Sequence, residues 1–159
     1  MKALVKLNLT LEIIFVGVNR EFITPITATN IIFEKPYKLS ENILVDLDLS
    51  KSTKIGFCDC LLKYIRDYDN TFSINSIKYL ENLQKWQFFF LIDVYQSQKE
   101  ISEKLLDIEN LWAFFDYPNQ WEGFIYYLPN LLTSSPEGVY EVFCNYMVSK
   151  ISLLNIVIE

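Results

Sequence analysis

Apolar residues recur at helical intervals through most of this chain. Leu11, Ile14, Phe15 and Val18 fall at i, i+3, i+4 and i+7, one face of a helix. Thr10 stands where an N-cap hydroxyl would serve the first turn. Thr24-Pro25 marks a second start, a capping threonine with proline at the first helical position. That helix should end before Lys35-Pro36, because the residue before a proline avoids the α region. Ile55, Cys58, Leu62 and Ile65 keep the same spacing, and the polar run 67–73 breaks it. A long helix is predicted from about Ile74 to Gln96. Its apolar positions include Ile77, Leu80, Leu83, Trp86, Phe88, Leu91, Ile92 and Tyr95, more than one stripe, as in a heavily buried helix.

Leu105, Ile108, Trp112 and Phe115 form the next stripe, and Pro118 redirects the chain. Trp121, Phe124, Ile125 and Leu128 predict a short helix weakened by Gly123. Ser135-Pro136 is a further cap-plus-proline start, followed by Val139, Val142, Phe143, Tyr146, Met147, Ile151 and Leu154 at helical period. Two segments stay open between helix and strand. Residues 43–49 alternate at Val45, Leu47 and Leu49, although Ser40 could cap a helix and the reading leans that way. Residues 155–158 are β-branched and close to the end of the sequence. The pattern predicts an all-α protein: an irregular array of about six to eight short-to-medium helices, with stacked helical hairpins as a variant. Residues 1–159 read as a single helical domain, since no linker or low-complexity tract interrupts them.

Composition supports a packed core. The chain is 51% hydrophobic and 16% aromatic, too apolar to remain disordered. Only four glycines are present, which disfavours a turn-rich β fold. The formal charge is −6, which repels phosphate backbones and argues against direct nucleic-acid binding. The same charge would speed the approach of a basic protein. Three cysteines, Cys58, Cys60 and Cys144, make a poor disulfide framework and read as reduced thiols of a cytoplasmic protein. The lysines and apolar run near the start lack a small-residue cleavage pattern, so no secretory signal is expected. No apolar stretch reaches the length of a membrane span, so no membrane partner is expected.

Candidate chemistry is sparse. There is no histidine, which removes the usual general base and the commonest zinc ligand. The four glycines are isolated, so no phosphate-cradling loop can be drawn. Asp46 with Asp48, and Asp67 with Asp69, could in principle run acid–base chemistry or hold a divalent cation. The run from Asp67 fails as a calcium loop, with Phe72 where glycine is needed and Lys78 where glutamate is needed. No enzyme, cofactor or metal is expected on these grounds. A carboxylate-dependent metalloenzyme is the dissenting alternative.

Residues 105–129 carry the densest signal. Trp112, Phe115, Tyr117, Trp121, Phe124, Tyr126 and Tyr127 crowd there among Glu109, Asp116 and Glu122. Most of these rings should be core. The remainder could form an aromatic, acidic face that receives Lys and Arg of a partner. Glu109, Asp116, Trp121, Glu122 and Tyr126 are the candidate contact residues. Asp116-Tyr117-Pro118 is expected to be mainly architectural, with the aspartate capping the next helix.

Lys85-Trp86 leading an apolar stretch, Ala113-Phe114-Phe115-Asp116-Tyr117-Pro118 and Phe124-Ile125-Tyr126-Tyr127-Leu128-Pro129 resemble the bacterial domain of unknown function 2247. That family carries a similar Asp-Phe-Asp-Tyr-Pro run and a Phe-x-x-Tyr-Met-Pro run. Here Phe114 stands at the first acid and Leu128 at the methionine. The resemblance covers about a third of the chain and extends to small acidic immunity proteins of polymorphic and contact-dependent growth-inhibition toxin systems. It implies a toxin inhibitor that binds one cognate toxin domain and blocks it by steric occlusion, with a basic nuclease as the toxin by analogy. A non-catalytic helical adaptor or regulator of another basic protein is the alternative.

Overall fold

The computed structural model describes residues 9–35, 37–128 and 135–154. These residues are all-α, with no strand among them. In chain order the elements are α1 (Leu11–Asn19), α2 (Pro25–Glu34), α3 (Glu41–Ser50), α4 (Lys54–Tyr68), α5 (Ile77–Gln96), α6 (Ile101–Phe114), a 3-10 helix (Asn119–Phe124) and α7 (Pro136–Leu154). The segment 43–49 is helical. Its alternation puts Leu47 on the buried side of α3 and leaves Val45 and Leu49, one turn apart, on the solvent side. Residues 155–158 lie outside the described residues.

Contacts group the chain into two compact units, residues 2–86 and residues 87–159. The continuous helix α5 contributes its first half to one unit and its second half to the other.

In the first unit α1 is the core helix. Leu11 and every residue from Ile13 to Val18 are buried. It packs against α4 and α2, and α3 packs against α4 and α2. The helix starts are built locally. Thr10 Oγ1 accepts the Ile13 amide at 3.4 Å, Thr24 Oγ1 the Thr27 amide at 3.1 Å, and Thr53 Oγ1 the Gly56 amide at 3.1 Å. Ser40 precedes α3 but makes no side-chain cap. Phe15 packs edge-on against Phe72, with ring centroids 5.6 Å apart. The Trp86 indole lies over Gly17, and its Nε1–H donates to the Ile13 carbonyl at 2.7 Å. A side chain at 17 would occupy the space the indole fills, which is why glycine sits inside a helix here.

In the second unit α7 packs against α6 and against the 3-10 helix. Ser135 Oγ accepts the Gly138 amide at 3.1 Å and caps α7. At the start of α6, the Glu103 carboxylate accepts the Glu100 amide at 3.3 Å. The core is aromatic: Phe143 meets Tyr95 at 6.1 Å and Phe124 at 5.5 Å, and Phe115 meets Trp121 at 5.9 Å. Trp121, Phe124, Val139, Phe143 and Met147 are all buried.

Candidate functional site

The end of α6 builds the aromatic surface of the second unit. The Tyr117 amide donates to the Trp112 carbonyl at 2.9 Å, and the Asp116 amide to the Ala113 carbonyl at 3.2 Å. These two bonds define a Schellman stop with Phe115 at the C-cap and Asp116 at the following position. Glycine usually fills that position because the left-handed region crowds a Cβ. Asp116 takes it at φ 59°, and Tyr117 repeats the same φ. Two successive left-handed residues swing the chain sharply before Pro118. The Trp112 indole N–H then donates to the Pro118 carbonyl at 3.2 Å and ties the turn back to the helix.

Asp116 therefore occupies the helix-ending position of α6, just ahead of the 3-10 helix Asn119–Phe124. The cap position of that helix is Pro118, which has no side-chain acceptor. The short helix expected over 121–128 is a 3-10 helix that stops at Phe124. Ile125 is extended and buried, and Tyr126 and Tyr127 form a turn.

The five candidate residues divide by burial. Trp121 is 1% exposed and serves the core, so it offers no surface to a partner. Glu109 is half-buried on α6, and that burial raises its carboxyl above the usual carboxylate range. Asp116 and Glu122 are exposed, and Tyr126 is 42% exposed. Three rings outside the candidate set are also exposed: Phe114 at 56%, Tyr117 at 57% and Tyr127 at 60%. Periodicity could not find them, because Phe114 continues a helix and Tyr117 and Tyr127 sit in turns. Tyr117 and Tyr127 both pack on Trp112, with centroids 4.8 Å and 6.0 Å away.

Charge is uneven along the chain. Residues 87–159 hold three lysines and no arginine against ten Asp and Glu. Residues 2–86 hold eleven Lys and Arg against ten Asp and Glu. The net negative charge thus comes from the second unit, which also bears these exposed rings. Counting charge by segment would have shown this in the sequence.

One carboxylate of each aspartate pair has a lysine partner. Asp48 pairs with Lys51 at 2.5 Å, and Asp69 pairs with Lys78 while accepting the Thr71 hydroxyl at 2.6 Å. Burial pushes the Cys58 thiol up to about 11, with Lys54 lowering and Asp59 raising it by less. A thiol held protonated in that way is a poor nucleophile at neutral pH. Among the described residues no group of three or more Cys, Asp or Glu side chains could hold a metal ion. No helix among them is long and apolar enough to cross a membrane. An open groove of about 610 Å³ runs between α2 and α3, and one of about 440 Å³ between the second half of α5 and α6.

The family profile of domain of unknown function 2247 (DUF2247), described as an uncharacterized protein conserved in bacteria, matches residues 3–151, and the chain belongs to that family. No curated protein matches the chain, and no solved structure does.

Proposed function

We propose that this member of the DUF2247 family works by binding a basic protein through the acidic, aromatic face of residues 105–128, as an immunity protein that occludes a cognate toxin domain in the cytoplasm. One observation carries the reading. Phe114, Tyr117, Tyr126 and Tyr127 are exposed together with Asp116 and Glu122, in the half of the chain that holds ten carboxylates and three cations. Aromatic residues concentrate binding energy because they bury large area at small entropic cost. A surrounding negative field speeds the encounter with a positive partner and excludes acidic ones. Exposed rings forgo part of the stabilisation that full burial would give, and like charges repel, so both features cost the fold something.

The test is co-expression with the product of the adjacent gene. A stable complex on gel filtration, and survival of cells that otherwise die from that product, would support the reading. Affinity should fall as salt rises from low to high ionic strength, because exposed charges are screened over about 8 Å at physiological ionic strength. No complex and no protection would remove the toxin-inhibitor reading. A stable complex with a basic protein that is no toxin would leave the binding and replace the biology.

A further inference from the structure

We infer that Tyr117 and Tyr127, seated on Trp112, form a receptor for an arginine side chain of the basic partner. This receptor rests on the proposed binding of a basic protein and would be its central contact.

Three features converge on this spot. First, the base is fixed. Trp112 is 8% exposed, and its indole N–H is committed to the Pro118 carbonyl, so the ring cannot swing. Tyr117 stands edge-on to it at 84°, Tyr127 at 61°, and both tyrosines are more than half exposed. Second, the backbone that places Tyr117 is unfavourable. Asp116 and Tyr117 both adopt left-handed φ, where a Cβ crowds the neighbouring carbonyl. Strain of this kind persists where the surroundings over-determine it, and it clusters at ligand contacts. Third, the unit's own cations are spent elsewhere. Lys104 lies over the Tyr140 ring at 5.2 Å, Lys150 over the Tyr146 ring at 5.6 Å, and Lys99 pairs with Asp107 at 2.6 Å. Those are all the lysines and arginines of residues 87–159. A cation over Tyr117 and Tyr127 therefore has no source within that unit.

Arginine fits this chemistry better than the alternatives. Its planar guanidinium stacks on aromatic faces and sheds water more readily than an ammonium. Exposed Glu122 belongs to the same stretch, and the net negative charge of residues 87–159 favours a cation. A proline-rich segment also docks on Tyr and Trp, but ten carboxylates would add nothing to its binding.

The test uses the full chain and small probes. The indole N–H signals of the three tryptophans are followed by NMR, with Trp112→Phe assigning its own peak. N-acetyl-arginine methylamide is titrated in, with the lysine, proline and leucine analogues as separate arms. A saturable shift of the Trp112 signal with the arginine probe is expected, weaker with lysine and absent with leucine. The Trp86 and Trp121 signals should stay in place, since both rings are buried. Tyr127→Phe should keep the response, because the ring face is the receptor, and Tyr117→Ala or Tyr127→Ala should weaken it. In the complex with the basic partner, the double alanine variant should bind about thirtyfold more weakly. Leu49→Ala, an exposed change on α3, should leave that affinity alone.

No arginine response, or a response lost in Tyr127→Phe, overturns the inference. A larger response to proline replaces it with a proline-rich partner. A complex indifferent to both tyrosines removes the receptor and leaves the binding reading standing. An arginine response without any complex from the adjacent gene removes the toxin and keeps the receptor.

Discussion

Helices α1 and α6 both close on Schellman hydrogen bonds around an acidic residue in the left-handed region, Glu21 at φ 63° and Asp116 at φ 59°. After α1 the Phe22 amide returns to the Gly17 carbonyl at 2.8 Å, and the Phe22 ring packs on Trp86 at 5.4 Å. Glu21 is held by Lys54 at 2.6 Å, which lowers its carboxyl pKa mainly through that hydrogen bond. The chain then caps α2 within a few residues. After α6 the same stop leads to a second left-handed residue and to exposed rings. One terminus is consumed by packing, whereas the other presents side chains outward. An identical local device therefore says little about role, which is decided by the residues beyond the stop and by whether anything packs on them.

The largest break in that comparison should come from the two glycines. A Cβ on Gly17 would lie 2.3 Å from Trp86 Cζ2 and 2.8 Å from Cε2. The buried indole, held by its bond to Ile13, has little freedom to retreat. Gly17→Ala should therefore destabilise the chain by ~1–3 kcal/mol in a urea melt, the cost of overpacking a filled core. At Gly123 the nearest atom is Val142 Cγ1 at 4.0 Å. Gly123→Ala should be neutral or stabilising by up to ~1 kcal/mol through reduced unfolded-state entropy. Equal losses at both positions would show that the tight Gly17–Trp86 contact is not a constraint.

A smaller effect is expected at the two stops. Glu21→Gly and Asp116→Gly should each relieve left-handed strain and raise stability by about 1 kcal/mol. The gain at 21 should be offset slightly by the lost ion pair with Lys54, which is exposed and weak. Only Asp116→Gly should also weaken partner binding, because it loosens the backbone that positions Tyr117. If both variants bind like the parent, the α6 stop is architecture alone.

The smallest expected effect concerns thiols. Cys58 is buried in the first unit and Cys144 is half-buried in the second. Iodoacetamide at about pH 8, near the ordinary thiol pKa, should modify Cys144 before Cys58. Because the Cys58 pKa is raised from 9.0 to about 11 on folding, the unfolded chain ionises first. Its contribution to stability is full below pH 9 and is lost as pH rises through about 11. The stability of the parent should drop relative to Cys58→Ala across that window, and parallel pH profiles would remove the claim.

Much of the fold was legible because its signals are short-range. Thr10, Thr24-Pro25 and Ser135-Pro136 mark helix starts through hydroxyls and a ring that act within one turn. The period of about 3.6 residues identified α1, α4, α5, α6 and α7, and with them the all-α class. The apolar spacing of 121–128 fits a longer helix as well as the 3-10 helix, and the break at Ile125 depends on burial against neighbours. The grouping into two compact units was hidden, since α5 passes through it without a linker. The site was half legible. Composition pointed to residues 105–129 and to carboxylates, but it could not separate Trp121, which fills the core, from Tyr117 and Tyr127, which do not.

By itself the sequence determined where α1, α2 and α7 begin, which faces are apolar, and that histidine chemistry is out of reach, because these depend on residue identity and local sterics. Tertiary structure alone decided which rings face water and which backbone stop exposes its neighbours. Burial is a property of what packs against a side chain, and those partners lie far away in the sequence.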